Sequence, residues 1–82
     1  MAHFVYILEA QNGKYYIGYT NNLEKRMKAH AEGKGAKFTR AFGFKKLLYS
    51  ETFRSKSKAM RREAEIKKMG RKEKEDLVLK ST

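Results

Sequence analysis

Cysteine and proline are both missing from this 82-residue chain, and aspartate is nearly so. Without cysteine there can be no disulfide framework, thiolate nucleophile, cysteine zinc site or iron–sulfur cluster, and nothing ties the chain to an oxidising compartment. A cytoplasmic setting is the default expectation. With Asp76 as its one aspartate, and only two His, the chain cannot build a two-metal centre on clustered aspartates. Its four Ser occupy cap, strand or tail positions, with no elbow to suit a Ser-His-Asp triad. No P-loop or dinucleotide-binding glycine pattern occurs either. The longest wholly apolar run, Phe4 to Leu8, is too short to span a bilayer and no basic segment precedes it, so neither membrane insertion nor secretion is expected. Any enzyme built from this inventory must work with Tyr, Arg, His and a lone Glu.

What the chain does have is positive charge: 20 Lys and Arg against 9 acidic residues, a net +11. That lies above the magnitude of about 2–8 usual for a small domain. A polyanion is the expected partner. The basic residues are spread over several segments instead of lining one amphipathic helix, which points to nucleic acid ahead of a membrane surface. Half of them fall between Arg54 and Lys74 and no groove-reading motif accompanies them, so binding should be electrostatic, weakly sequence-specific and steeply salt-dependent. The 40% hydrophobic content supports one modest core, hence a single domain over residues 1–82.

Residues 3–10 and 14–20 are rich in β-branched and aromatic types, and Gln11-Asn12-Gly13 joins them as a hairpin loop. A three-residue loop with Gly13 in the left-handed region sets Tyr6 opposite Gly18 and diagonal to Tyr16, on one face of the hairpin, with Val5, Ile7 and Ile17 on the other. A glycine opposite an aromatic leaves backbone exposed where a ligand could approach. Asn21 opens a capping box with Glu24, and Leu23, Met27 and His30 recur at helical spacing until Gly33-Lys34-Gly35, predicting a helix over 22–32. Residues 45–53 read as a third strand. Ser55 and Ser57 offer caps for a helix closing at Gly70 as its C′ glycine, and a last helix over 71–79 should pack Leu77, Val78 and Leu79. The order ββαβαα is an α+β fold, a small, mainly antiparallel three-stranded sheet flanked by helices.

Ala59, Glu63 and Ile66 follow i, i+4, i+7 spacing, which sets Glu63 on an apolar stripe while Glu65 lies among Lys and Arg. Glu63 reads either as an edge-of-core carboxylate paired with Arg62 or Lys67, or as a ligand for Mg²⁺, which accepts one or two protein carboxylates plus phosphate oxygens. On the first helix Arg26 and His30 flank the Leu23/Met27 face. Taken alone, His30 reads as a satisfied helix-end histidine and Arg26 as a phosphate or carboxylate contact.

The ordered set Val5-Tyr6-Ile7, Tyr16-Ile17-Gly18, Thr20-Asn21-Asn22-Leu23, Arg26 and Glu63 resembles the GIY-YIG nuclease family over nearly the whole chain, and in particular its small, stand-alone bacterial members. Phe4-Val5 stands in place of Gly-Ile in the first motif, and Tyr19 where some repair members carry Lys. The resemblance implies Tyr6, Tyr16, Arg26 and His30 as catalytic residues, Gly18, Lys34, Lys37, Thr39 and Arg40 as substrate-binding, and Glu63 as the ligand of a single divalent metal, Mg²⁺. It implies one-metal hydrolysis of a phosphodiester, with Arg26 on the scissile phosphate, Tyr6 or Tyr16 orienting or deprotonating the attacking water, and His30 assisting proton transfer. The expected protein is a monomeric endonuclease for structured or branched DNA, with DNA ahead of RNA. The competing expectation is a nucleic-acid-binding module of the same fold with little or no turnover, acting on structured RNA.

Overall fold

The computed structural model describes residues 2–80, as seven elements in the order ββααβαα: β1 (His3–Ala10), β2 (Tyr15–Thr20), α1 (Leu23–Ala31), α2 (Lys37–Phe42), β3 (Phe44–Phe53), α3 (Lys56–Lys67) and α4 (Arg71–Lys80). The strands form one antiparallel sheet in the order β2-β1-β3, so the first strand made is the central one. Among the described residues no helix is long and apolar enough to cross a membrane.

The hairpin has the expected three-residue loop. Gly13 sits at φ 84°, Asn12 Oδ1 accepts from Lys14 N, and Ala10 N donates to Lys14 O at 2.8 Å. The register places Tyr6 opposite Gly18 and Leu8 opposite Tyr16. Because successive side chains alternate, β1 divides its residues between two layers. Val5 and Ile7 join Ile17, Ala59 and Ile66 in an aliphatic core beneath α3, with Leu77 and Val78 of α4 packed against it. On the other side Tyr6, Tyr16 and Gly18 meet α1 and α2. The β1–β3 ladder shifts register between Ile7 and Leu8, which lets Leu48 and Tyr49 both reach the aliphatic core.

Four local readings need correction. The cap of α1 is Asn22, whose side chain accepts from Lys25 N, instead of Asn21 with a capping box to Glu24. Between α1 and β3, where the order ββαβαα has no element, lies α2, a six-residue helix whose N-cap Ala36 makes no side-chain bond and whose first turn has no acidic residue, so no start signal advertised it. Gly70 is not a left-handed cap; α3 ends on Lys68 in the right-handed region, and the positive-φ glycines are Gly13, Gly33 and Gly43. Leu79 does not pack as Leu77 and Val78 do, and is 67% exposed.

Candidate active site

Tyr6 is wholly buried, and its ring lies across Gly18 on the neighbouring strand. A Cβ at Gly18 would overlap the Tyr6 hydroxyl and the ring carbon bearing it, so glycine is required here for close side-chain approach. Gly18 therefore does not bare its backbone to a ligand, because Tyr6 fills the space above it.

Opposite the hairpin, α1 delivers His30 at its last turn. There His30 is 1% exposed. Its Nε2 and the Tyr6 hydroxyl are 2.8 Å apart, and its Nδ1 lies 2.8 Å from Thr39 Oγ1. Aromatic rings complete the enclosure: Tyr6 and Tyr16 meet the imidazole edge-on at 5.7 and 5.6 Å, and Phe44 stacks on it at 6.4 Å. Tyr16 in turn stacks on Phe38 of α2 at 5.3 Å. The α1–α2 connection closes over the ring so tightly that a Cβ at Gly35 would come within 2.5 Å of Nδ1.

Thr39, expected to touch substrate, is instead 2% exposed, with its hydroxyl between His30 and the carbonyl of Ala36. Lys34, Lys37 and Arg40 are exposed around it. Arg26, one turn before His30 on α1, lines a cleft of about 210 Å³ with Thr20, Asn21, Asn22, Lys25 and Ala29.

Electrostatics bind these pieces together. Burial raises the Tyr6 pKa well above the usual phenol range, and Tyr16 and Glu63 push it the same way, whereas the Arg26 guanidinium pulls it down. His30 is lowered from its ordinary 6.5, first by burial and then by Arg26. Its neutral form is thus the resident one at pH 7.

Glu63 stands where the i, i+4, i+7 pattern predicts, between the buried Ala59 and Ile66, with its side chain 14% exposed and Lys67 Nζ at 3.5 Å. Arg62, the other partner considered for it, turns away to Glu51 at 3.0 Å and to Glu65 at 3.4 Å. Among the described residues no group of three His, Cys, Asp or Glu gathers to hold a metal. Sequence reasoning named Tyr6, Tyr16, Arg26, His30 and Glu63 but missed the ring enclosure by Phe38 and Phe44. Their only sequence signal is an aromatic spacing (Phe38, Phe42, Phe44) in a segment otherwise punctuated by glycine.

Comparison with known proteins agrees with this fold. A family model described as the GIY-YIG catalytic domain matches residues 2–76. The UPF0213 protein BH0048 of Halalkalibacterium halodurans is 50% identical over 78 residues, which is 95% of this chain and 83% of that protein. The UPF0213 protein CPE1444 of Clostridium perfringens is 50% identical over 76 residues, 93% of this chain and 82% of its own. The solution NMR structure of the UPF0213 protein BH0048 from Bacillus halodurans matches at 51% identity with a TM-score of 0.61, covering 95% of this chain and 83% of that one.

Proposed function

Because the chain belongs to the GIY-YIG family, a family of nucleases, we propose that it is an endonuclease that hydrolyses phosphodiesters in structured or branched DNA with a single Mg²⁺. One observation carries the reading: the hydroxyl of the buried Tyr6 from β1 meets His30 of α1 at 2.8 Å with the ring of Tyr16 from β2 6.4 Å away, and Arg26, one turn before His30, lines the adjoining cleft. Two strands and a helix converge on one polar point that a mere folding core would leave apolar.

Glu63 suits a hard, oxygen-seeking cation. It is a carboxylate at a core edge with one exposed lysine as its ion-pair partner. Among the described residues no group of three carboxylates or imidazoles gathers, so waters and phosphate oxygens would complete the set, a sparse one that Mg²⁺ accepts. Bound there, Mg²⁺ would stabilise the charge developing on the leaving oxygen. Arg26 faces the cleft and would bind the scissile phosphate, offsetting charge on its non-bridging oxygens. Tyr16 is the more open phenol and orients the attacking water, whereas Tyr6 is enclosed and engaged with His30. The exposed Lys34, Lys37 and Arg40 would hold the backbone of the polyanion.

Two observations favour the alternative of a binding module with little turnover: Lys67 holds Glu63, and burial keeps the Tyr6 phenol protonated. Incubating the protein with branched, flapped and single-stranded DNA and with structured RNA, each with and without Mg²⁺, separates the two. The expected result is Mg²⁺-dependent cleavage of structured DNA. Glu63→Gln should abolish it while shifting stability by no more than about 0.5 kcal/mol, the worth of an i, i+4 pair, and Glu65→Gln should retain it. Binding to these substrates without cleavage of any would establish the module. Cleavage surviving in Glu63→Gln would falsify the metal-ligand assignment.

A further inference from the structure

His30 sits between two hydroxyls, and which of its nitrogens carries the proton is set by what those hydroxyls can offer. Thr39 Oγ1 lies 2.8 Å from Nδ1 and donates to the Ala36 carbonyl at 3.3 Å. With its one proton committed to that carbonyl, Thr39 can only accept from His30. The other end points the same way. Among the described residues the hydrogen-bond partner of the Tyr6 hydroxyl is His30 Nε2, at 2.8 Å. The Tyr6 proton therefore turns to Nε2.

From this we propose that Thr39 is a positioning residue: it fixes His30 as the Nδ1–H tautomer, so that Nε2 accepts from Tyr6 and the Tyr6 oxygen is left free to hold the Arg26 guanidinium at the cleft. The hydrogen bonds then run in one direction, from Tyr6 through His30 and Thr39 to the carbonyl of Ala36, with the Arg26 charge acting on the Tyr6 oxygen. Chains polarised in this way strengthen each link, and reversing one link orphans a donor or an acceptor at each end. Gly35 belongs to the same device. The loop must approach the imidazole closely to bring Thr39 within reach, and a side chain at residue 35 would meet Nδ1 first. Thr39 touches neither the cleft nor solvent, so its effect on chemistry passes wholly through His30, Tyr6 and Arg26.

The catalytic part of this inference rests on the nuclease reading; the tautomer does not. The test is therefore a pair of measurements on the full chain. Nitrogen-15 NMR of the imidazole in the unaltered protein near pH 7.5 should show the Nδ1–H form. Thr39→Ser should preserve that spectrum, because it keeps the hydroxyl. Thr39→Val removes the acceptor and should convert His30 to the Nε2–H form or to a mixture. In cleavage, Thr39→Val should lose ten-fold or more at saturating substrate with affinity for DNA unchanged, and Thr39→Ser should restore at least a third of the rate. An Nε2–H signal in the unaltered protein overturns the proposal whether or not any substrate is cut, as does an unchanged tautomer in Thr39→Val. If Thr39→Val fails to fold, the Thr39→Ser spectrum decides, and loss of the Nδ1–H form there overturns the assignment. Absence of cleavage with the expected tautomers would sink the nuclease reading and leave the tautomer assignment standing.

Discussion

The two sides of the central strand obey different rules. Towards α3, Val5 and Ile7 meet Ile17, Ala59 and Ile66 in a layer without a polar side chain at its centre. Towards α1 and α2, Tyr6, His30 and Thr39 are just as buried, yet each polar atom has a partner and no buried side-chain nitrogen or oxygen is left unsatisfied among the described residues. Dispersion and apolar burial hold the first layer, and these depend on volume. The second depends on direction, because a hydrogen bond that cannot be remade costs the desolvation of the group left behind. A fold of this size can carry a polar site inside itself because the opposite side of the same strand supplies the stability.

The contrast breaks most severely on the aliphatic side. Ile66→Ala leaves a cavity between α3 and the sheet and should destabilise by about 2–5 kcal/mol in chemical denaturation, while the His30 tautomer stays as it was in whatever fraction remains folded. A change in that tautomer would show that the layers are coupled.

Gly18→Ala attacks the second layer by shape alone. Its methyl must displace the Tyr6 ring, and overpacking of this kind costs about 1–3 kcal/mol. The expected signature is a smaller loss of stability than in Ile66→Ala but a displaced Tyr6–His30 contact, visible in the imidazole shifts. A variant that kept both stability and spectrum would mean that Tyr6 has room to move.

The smallest effect comes from protons. Unfolded His30 takes up a proton below its ordinary 6.5, whereas in the folded chain burial and Arg26 hold its pKa lower. The unfolded state then binds more protons, so this contribution to stability is complete above pH 6.5 and is lost as the pH falls towards the folded value. Unfolding curves between pH 7.5 and 5 should show a steeper acid limb in the native protein than in His30→Gln. Equal limbs would place His30 in contact with water.

The aliphatic side was the more legible in sequence. Strand alternation and the i, i+4, i+7 pattern of α3 are periodic signals, and loop parity carried them to the Tyr6–Gly18 pairing and to Glu63 at the edge of the stripe. The polar side was legible in its residues and opaque in its arrangement. A lone histidine at the end of a helix has the same local pattern whether it meets water or an enclosure. What decides for His30 is α2, a helix too short and too poorly capped to announce itself. Expected to touch substrate together with Lys37 and Arg40, which are exposed, Thr39 is pointed inward only by the turn of α2.

The position of β1 in the middle of the sheet also sets an order of events in time. Its partner β2 follows after a three-residue loop, but β3 pairs His3 with Phe53 and Leu8 with Leu47, far along the chain. Closing the hairpin is a local step, whereas docking β3 must meet the entropy of a loop more than ten times longer before any contact repays it. During synthesis β1 and β2 leave the ribosome before β3 does. Until then Val5 to Leu8 form an unpaired apolar edge, the kind of strand that finds other chains. The strongly positive charge of the chain then acts on the nascent molecule as well as the finished one, since like-charged copies keep apart while that edge waits for its partner.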